Sequence, residues 1–351
     1  MQKAFKHLTP ATFKIDGGTE ESSSNTNWKK ELANAITSSS ELLKILQLEE
    51  HLQTIEESAD FKCLVTASYV KKIKPGDIND PLLLQILPLK IEHDRSIQHT
   101  GSTDPVGDLN ATASEGLIHK YNGRALLITT GACAIHCRYC FRRHYPYQTS
   151  SCTTSAIDAA VDYLNAASSI EEIILSGGDP LVLDNAKLQK LISRLETVPH
   201  LTTLRIHSRL PLVLPDRIDE ELIQILRSTR LKVVMVIHCN HANELAKKEY
   251  EKLQQLFDAG ITLLNQSVLL RGVNDNEKTL VALSKRLFAC NTLPYYLHQL
   301  DQVKGAMHFA VTDSKALELR NKMEQRLPGY LVPALVREIS GNKSKTAIFR
   351  I

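Results

Sequence analysis

Three cysteines in the spacing CxxxCxxC, at Cys133, Cys137 and Cys140, constrain this chain more than any other feature. A short loop can wrap their thiols around one face of a cubane iron–sulfur cluster. No fourth cysteine lies nearby to close the cluster, so one iron would keep an open coordination position for a small chelating molecule. The alternative is a zinc site completed by His136 or His144, because structural zinc requires four ligands.

Charge and composition exclude some classes of partner. The 351 residues carry 42 basic and 39 acidic side chains, a net charge of +3, which gives no reason to expect nucleic acid or a membrane surface as a partner. Residues 1–18 have no apolar run of signal-peptide length, and no later segment approaches a membrane span. The other cysteines are scattered rather than arranged as a disulfide framework: Cys63, Cys152, Cys239 and Cys290. We therefore expect a cytoplasmic protein.

The hydrophobic pattern changes near residue 117. Residues 1–116 read as an N-terminal helical extension, and in residues 117–351 apolar runs alternate with amphipathic helical segments. Such alternation favours parallel strands covered by helices. We predict an α/β fold, a partial TIM-like (β/α)6 barrel, with candidate strands that begin at Ala125, Glu171, Thr202, Lys232, Thr262 and Pro294.

Polar residues follow the ends of these strands. The cysteines follow the first strand, Gly177-Gly178-Asp179 ends the second, and Asp301 ends the sixth, while Gln266 interrupts the fifth. The carboxyl ends of barrel strands form the mouth where active sites are built. By themselves, the glycines could be an ordinary strand-to-helix turn and Gln266 a hydrogen-bonded core residue.

The motifs together resemble a known family. The cysteine spacing, with Tyr139 before the third cysteine, resembles the signature of the radical S-adenosylmethionine (SAM) enzymes. The chain from Trp28 to Thr346 is similar to their lysine 2,3-aminomutase family, and most to the short members that act with elongation factor P (EF-P). The matching motifs are SGGDPL, SRLPLVLPDRI, HCNHANE, LRGVND and the run from Pro294 to Lys345-Thr346.

The resemblance implies a radical SAM barrel with three cofactors. A [4Fe–4S] cluster would lie on the three cysteines, and SAM would lie against Gly177, Gly178, Asp179 and Gln266. Pyridoxal 5'-phosphate (PLP) would form a Schiff base with Lys345, for which Lys343 is the rival, and its phosphate would meet Lys120 and Arg124.

The resemblance also implies the substrate contacts. Arg142 would clamp the α-carboxylate, as a planar bidentate donor suits a planar acceptor, although it could be a surface arginine. Asp301 and Glu338 would hold the far amino group. Two carboxylates in a barrel mouth are costly unless they meet a cation, which favours lysine over glutamate as substrate.

The function implied is isomerisation of (S)-α-lysine to (R)-β-lysine, which a partner ligase attaches to EF-P, with flavodoxin or ferredoxin as reductant. The alternatives are a free-standing aminomutase of lysine catabolism or β-lysine metabolite synthesis, and a non-enzymatic zinc-binding protein. The larger family members use a cysteine after LRGVND for structural zinc. Here that position is Asn276 and the chain stops at Ile351, so we expect no structural zinc. If a homo-oligomer forms, we expect it to be weaker than, or different from, the oligomer of the larger members.

Overall fold

The computed structural model describes residues 27–56, 61–147 and 153–349. Most of the expected extension lies within these ranges, but its first 26 residues do not. Cys152 and the last two residues also lie outside the described residues.

Within the described ranges, ten strands form one sheet whose order follows the sequence. The strands from β3 to β9 run parallel, whereas β1, β2 and β10 pair antiparallel at the two edges. The bounds are β1 Thr112–Ser114, β2 Leu117–Tyr121, β3 Arg124–Thr130, β4 Glu172–Gly177, β5 Thr203–Ser208, β6 Lys232–Ile237, β7 Thr262–Leu269, β8 Leu293–Gln299, β9 Ala334–Arg337 and β10 Thr346–Ala347.

Helices connect the parallel strands, as the alternating pattern predicts. In the described part of the chain, each of the six connections from β3 to β9 contains at least one α-helix, so the predicted α/β fold with six strand–helix units is confirmed. Strand β9 follows the sixth unit. The helices of this region are α5 Thr154–Ala166, α6 Asn185–Leu195, α7 Leu210–Val213, α8 Glu220–Ser228, α9 Lys247–Asp258, α10 Glu277–Ala289 and α11 Asp313–Glu324.

Side-chain caps begin several of these helices. The side chains of Thr153, Asp184 and Asp219 accept hydrogen bonds from backbone N–H groups in the first turns of α5, α6 and α8. Asn276 does the same for α10. Such caps satisfy donors that the first turn leaves unpaired, so each helix begins directly after a polar loop residue.

The expected extension contains short helices and shares its core with the barrel. One cluster of buried side chains joins Trp28, Leu42 and Leu87 to strand residues such as Ile173 and Ile206. Strand β1 belongs to the sheet but lies before residue 117. The division of the chain at residue 116 into an extension and a barrel therefore remains a prediction. The helices are α1 Asn27–Ala33, α2 Ser39–Ile45, α3 Ala67–Val70 and α4 Arg95–Gln98.

The sheet curls without closing. Residues on β2, β3, β4, β5, β7 and β8, and residues that follow β6, β8 and β9, line one cavity, while β1 and β10 do not pair with each other within the described residues. The result is a partial barrel. No helix in the described ranges is long and apolar enough to cross a membrane.

Candidate active site

The cavity inside the curled sheet brings together the residues that the family resemblance assigns to the cluster, SAM, PLP and the substrate. Cysteines from the loop after β3 form one wall, and Lys345, near the carboxyl end, lines the same space. Lys343, its rival, is exposed and is not among the lining residues. The nominated residues that line the cavity are Lys120, Arg124, Cys133, Cys137, Cys140, Arg142, Gly177, Gly178, Asp179, Gln266, Asp301, Glu338 and Lys345.

The three thiols suit a cationic cluster. Burial and the neighbouring thiol of Cys140 raise the pKa of Cys133, and burial and Cys137 raise the pKa of Cys140 to about 11. Buried thiolates this close repel one another unless a metal supplies positive charge. The described residues contain no group of three or more His, Cys, Asp or Glu side chains arranged for a metal ion. The fit to a [4Fe–4S] cluster therefore rests on three cysteines in one loop against one cavity.

Residues of the expected extension hold the cysteine loop. Arg138, between the second and third cysteines, is fully buried and donates to both carboxylate oxygens of Glu92, at 2.7 and 2.6 Å. Arg143 donates to the same carboxylate at 2.8 Å. Burial opposes ionisation, but these arginines lower the pKa of Glu92. The extension thus supports the site, a role that its irregular sequence does not indicate.

The two glycines at the end of β4 permit a close backbone approach. A Cβ on Gly178 would lie 2.2 Å from the carbonyl oxygen of Ala132, and one on Gly177 would lie 2.6 Å from that of Thr130. Gly177 also has a φ of 124°, which side chains disfavour. The N–H of Gly178 donates to Thr130 at 2.7 Å. Besides lining the cavity, the glycines therefore let the end of β4 pack closely against the end of β3 and the start of the cysteine loop.

Asp179 uses its carboxylate within the protein. It accepts hydrogen bonds from the hydroxyl of Ser208 and from the backbone N–H of Arg209, both at 2.7 Å. Leu181 and Leu210 also donate backbone N–H groups to it. Burial raises its pKa to about 6 despite these donors. The carboxylate joins the ends of β4 and β5, two neighbouring walls of the cavity.

A hairpin places Lys345 opposite Glu338. Strands β9 and β10 pair antiparallel with Arg337 opposite Thr346. The next residues toward the turn of the hairpin, Glu338 and Lys345, therefore lie opposite each other. The Lys345 amine donates to Glu338 at 3.1 Å and lies 5.7 Å from the ring centre of Tyr296. The amine therefore points into the barrel because of local strand pairing.

Charges of alternating sign run along one side of the cavity. Arg142 pairs with Asp108 at 2.7 Å, Asp108 with Lys120 at 2.5 Å, Lys120 with Glu338 at 2.9 Å, and Glu338 with Lys345. Burial opposes ionisation of both carboxyls, but the cations hold the pKa of Asp108 low and that of Glu338 at about 2. Asp108 lies in an irregular segment and carried no signal in the sequence.

The carboxyl of Asp301 differs from those of Asp108 and Glu338, because its pKa is raised and not lowered. Burial and the charge of Glu338 raise its pKa to about 7, although Lys345 and Lys120 lower it. Its carboxyl makes no ion pair within the described ranges. Of the two carboxyls expected to hold the far amino group of the substrate, Glu338 is thus fully compensated and Asp301 lacks a cation of its own.

Lys120 and Arg124, the two basic residues expected to bind the PLP phosphate, differ in how many of their N–H donors are already used. Lys120 donates to Val106, Asp108 and Glu338, which occupies all three N–H donors of an ammonium. The guanidinium of Arg124 instead lies 4.8 Å from the ring centre of Tyr121 and lines the cavity. Arg124 is therefore the better placed of the two to meet an anion.

Besides His136, three histidines line the cavity, and no role was expected for them. Burial and nearby charges lower the pKa of His238 to about 3, and the pKa values of His207 and His298 are lowered as well, in each case chiefly by burial. The amide nitrogen of Gln266 lies 2.8 Å from Nε2 of His238. Nε2 of His207 and of His298 has no hydrogen-bond partner among the described residues. His207 and His298 lie on β5 and β8, and His238 directly follows β6, and these positions were the available signal.

Comparisons with known proteins agree with this geometry. The model of the Radical SAM superfamily matches residues 127–283, the region that contains the cysteine loop and the strands up to β7. The fold and the loop thus define the class of radical SAM enzymes. The chain is 45% identical to the L-lysine 2,3-aminomutase of Haemophilus influenzae over 91% of its length and 95% of that protein.

Further relatives make the assignment specific. The L-lysine 2,3-aminomutase of Escherichia coli is 42% identical, over 93% of this chain and 95% of that protein. The enzyme of that name from Acetoanaerobium sticklandii is 35% identical, over 92% of this chain and 78% of that protein. The chain belongs to the lysine 2,3-aminomutase family of radical SAM enzymes. Membership implies a [4Fe–4S] cluster and SAM, so the zinc alternative is set aside.

Proposed function

We propose that this protein is a radical SAM, PLP-dependent isomerase that converts (S)-α-lysine to (R)-β-lysine by 1,2-amino migration. The observation that carries the proposal is that Lys345 lines the same cavity as the three cysteines, with Arg142, Asp301 and Glu338. When bound, the cluster and SAM would supply a carbon radical, and PLP would stabilise the migrating amino group. The protein's part is to bind, orient and neutralise charge.

Arg142 would bind the substrate carboxylate. Its guanidinium has five N–H donors, and the contacts to Asp108 and Ser176 use two of them, through Nε and Nη1. Three donors therefore remain on the two terminal nitrogens, where bidentate binding of a carboxylate takes place. The contact with Asp108 keeps the side chain in position before substrate arrives.

Asp301 and Glu338 would bind the far ammonium group. A cation beside Asp301 would relieve the burial and repulsion that raise its pKa, so binding and ionisation support each other. A glutamate side chain would add a further negative charge beside these carboxyls. The site therefore favours lysine.

The cofactor contacts follow the family resemblance. Lys345, whose amine lies 5.7 Å from the ring centre of Tyr296, would hold PLP. Arg124 would bind its phosphate, and Lys120 would join after exchange of one of its present partners. SAM would lie against the backbone at Gly177 and Gly178, with Asp179 and Gln266 behind it.

The biological setting proposed is the reducing cytoplasm, with β-lysine supplied to an EF-P ligase and electrons supplied by flavodoxin or ferredoxin. Two described cysteines outside the site, Cys239 and Cys290, are buried and form no disulfide, which suits that compartment. The rival setting is a free-standing aminomutase of lysine metabolism.

Anaerobic turnover tests the proposal. Protein reconstituted with iron and sulfide is incubated with SAM, PLP, dithionite and lysine, and β-lysine is measured by chromatography, with glutamate as the comparison substrate. Lys345→Ala should retain its iron and lose activity, Cys137→Ala should lose both, and Lys343→Ala, the matched control, should remain active.

Two results would reject parts of the proposal. Full activity of Lys345→Ala, or turnover of glutamate in place of lysine, would contradict the chemistry. If active protein and lysine produce no β-lysyl mass increase on EF-P in the presence of an EF-P ligase, the EF-P role fails and the free-standing enzyme is favoured.

A further inference from the structure

Arg209, which follows β5, contacts a cysteine of the proposed cluster. Its Nη1 donates to Sγ of Cys137 at 2.7 Å. Its Nη2 donates to Tyr69 at 3.1 Å, Gln85 at 2.7 Å and Glu244 at 2.8 Å. In the described part of the chain, no other arginine or lysine donates to the sulfur of any of the three cysteines. The three ligands are therefore electrostatically unequal.

The surroundings hold this guanidinium in place. Arg209 is 4% exposed and lies within 5.6 Å of the ring centres of Tyr69 and Tyr139. Its partner Glu244 is fully buried and also accepts backbone N–H groups from Asn240 and His241. If Arg209 turned away from the sulfur, it would also leave the buried carboxylate of Glu244 without its cation, which is unfavourable because a buried charge is poorly solvated. The contact with Cys137 is therefore a built feature of the fold.

A positive donor at a cluster sulfur affects reduction. Reduction adds one electron to the cluster and its thiolates, and a nearby cation stabilises the added negative charge. Hydrogen bonds to the sulfurs are among the factors that set the potential of iron–sulfur clusters. Burial strengthens the effect, because the charge acts through a medium of low dielectric constant.

We propose that Arg209 is a positioning residue that raises the reduction potential of the cluster by hydrogen bonding to Cys137. The proposal rests on the proposed function only in requiring the cluster. Two of the anchors of Arg209, Tyr69 and Gln85, belong to the N-terminal extension, so this segment takes part in electron acceptance. The substrate and PLP are not involved.

A redox titration of the reconstituted full-length protein, without SAM or substrate, tests this role. Absorbance and the electron paramagnetic resonance signal of the reduced cluster are followed against applied potential. Arg209→Gln should shift the midpoint to a more negative value, and Arg209→Lys should shift it less, because lysine retains the charge but cannot make all four contacts.

Arg217→Gln is the matched control. Arg217 is as deeply buried as Arg209, lies over Trp28 and donates to the carbonyl groups of Leu181 and Leu183, but it makes no hydrogen bond to Cys133, Cys137 or Cys140. Its removal should destabilise the fold and leave the midpoint unchanged.

Each outcome has a defined meaning. A wild-type midpoint in Arg209→Gln, or an equal shift in Arg217→Gln, would overturn the role of Arg209. If Arg209→Gln does not fold, Arg209→Lys decides the matter, and an unshifted midpoint there counts against the proposal. If the wild-type protein forms no cluster, the proposed function itself fails. If the cluster forms and only the shift is absent, the proposed function stands and this inference falls.

Discussion

The carboxyl groups of Asp301 and Glu338 lie in one cavity and favour opposite protonation states. Glu338 contacts two ammonium groups, which keep its pKa near 2, whereas burial and Glu338 itself raise the pKa of Asp301 to about 7. Burial alone therefore does not decide ionisation here. The number of cations within contact decides it.

Asp301→Asn should stabilise the ligand-free protein at alkaline pH. The folded pKa of Asp301 lies above its unfolded value of 3.8, so the folded state binds the proton more tightly and loses stability as pH rises from about 4 to about 7. Because asparagine does not ionise, the variant does not lose stability in this way. Its gain in unfolding free energy over wild type should grow by on the order of 2 kcal/mol between pH 5 and pH 8. Urea denaturation at the two pH values measures it.

Glu338→Gln is the matched comparison. The folded pKa of Glu338 lies below its unfolded value of 4.5, so its stabilising effect is complete above about pH 4.5 and is lost only as pH falls toward 2. This variant should be less stable than wild type at pH 5. Glu338 also raises the pKa of Asp301, so its removal reduces the loss of stability between pH 5 and pH 8, and the deficit should be smaller at pH 8. A larger deficit at pH 8 than at pH 5 would contradict the assignment of charges.

At the scale of elements, the contact between β4 and the cysteine loop positions the site. The end of β4 can approach residues 130–132 only because Gly177 and Gly178 have no side chain. Gly178 then donates its backbone N–H to Thr130 at the end of β3, at 2.7 Å, and Asp179 donates its backbone N–H to Ala132 in the cysteine loop, at 2.8 Å. A strand end and a loop thus act as one unit.

The substitution Gly178→Ala should separate the end of β4 from the cysteine loop. The added Cβ would meet the carbonyl oxygen of Ala132 at 2.2 Å, so backbone must move, at a cost of about 1–3 kcal/mol. We expect lower iron content per chain after reconstitution, together with a lower melting temperature. The control is Gly329→Ala, where a Cβ would meet nothing within 4 Å. Normal iron content in Gly178→Ala would show that the close approach is unnecessary.

At the scale of the whole molecule, the extension and the barrel share one core. Trp28 is 2% exposed, belongs to the largest buried cluster and packs against the guanidinium of Arg217 from the barrel, 4.8 Å from its ring centre. Two parts joined in this way should unfold together.

Urea denaturation of the wild-type protein can test whether the extension and the barrel unfold together. Trp28 is the only tryptophan, so its fluorescence reports on the extension, while far-ultraviolet circular dichroism reports mainly on the barrel. The two transitions should coincide in midpoint and slope. A fluorescence transition at lower urea would instead indicate that residues 1–116 form a separate unit.

The sequence by itself determined the types of the principal elements. The six candidate strands and the alternating helices are confirmed, because strand and helix periodicity are local patterns that short segments express regardless of their partners. Cysteine spacing was equally local and indicated the class of enzyme. The motif order then indicated the family to which the chain belongs.

Only the tertiary structure decided which side chains meet. The contacts of Arg142 with Asp108 and of Lys120 with Glu338 join residues 34 and 218 positions apart, and Arg209 reaches Cys137 from another strand end. No periodic pattern marks Asp108, Glu92 or Arg209, because buried charges depend on partners brought together by strand order. Local patterns therefore specified the barrel, and long-range pairing of charges within it determined the arrangement of the site.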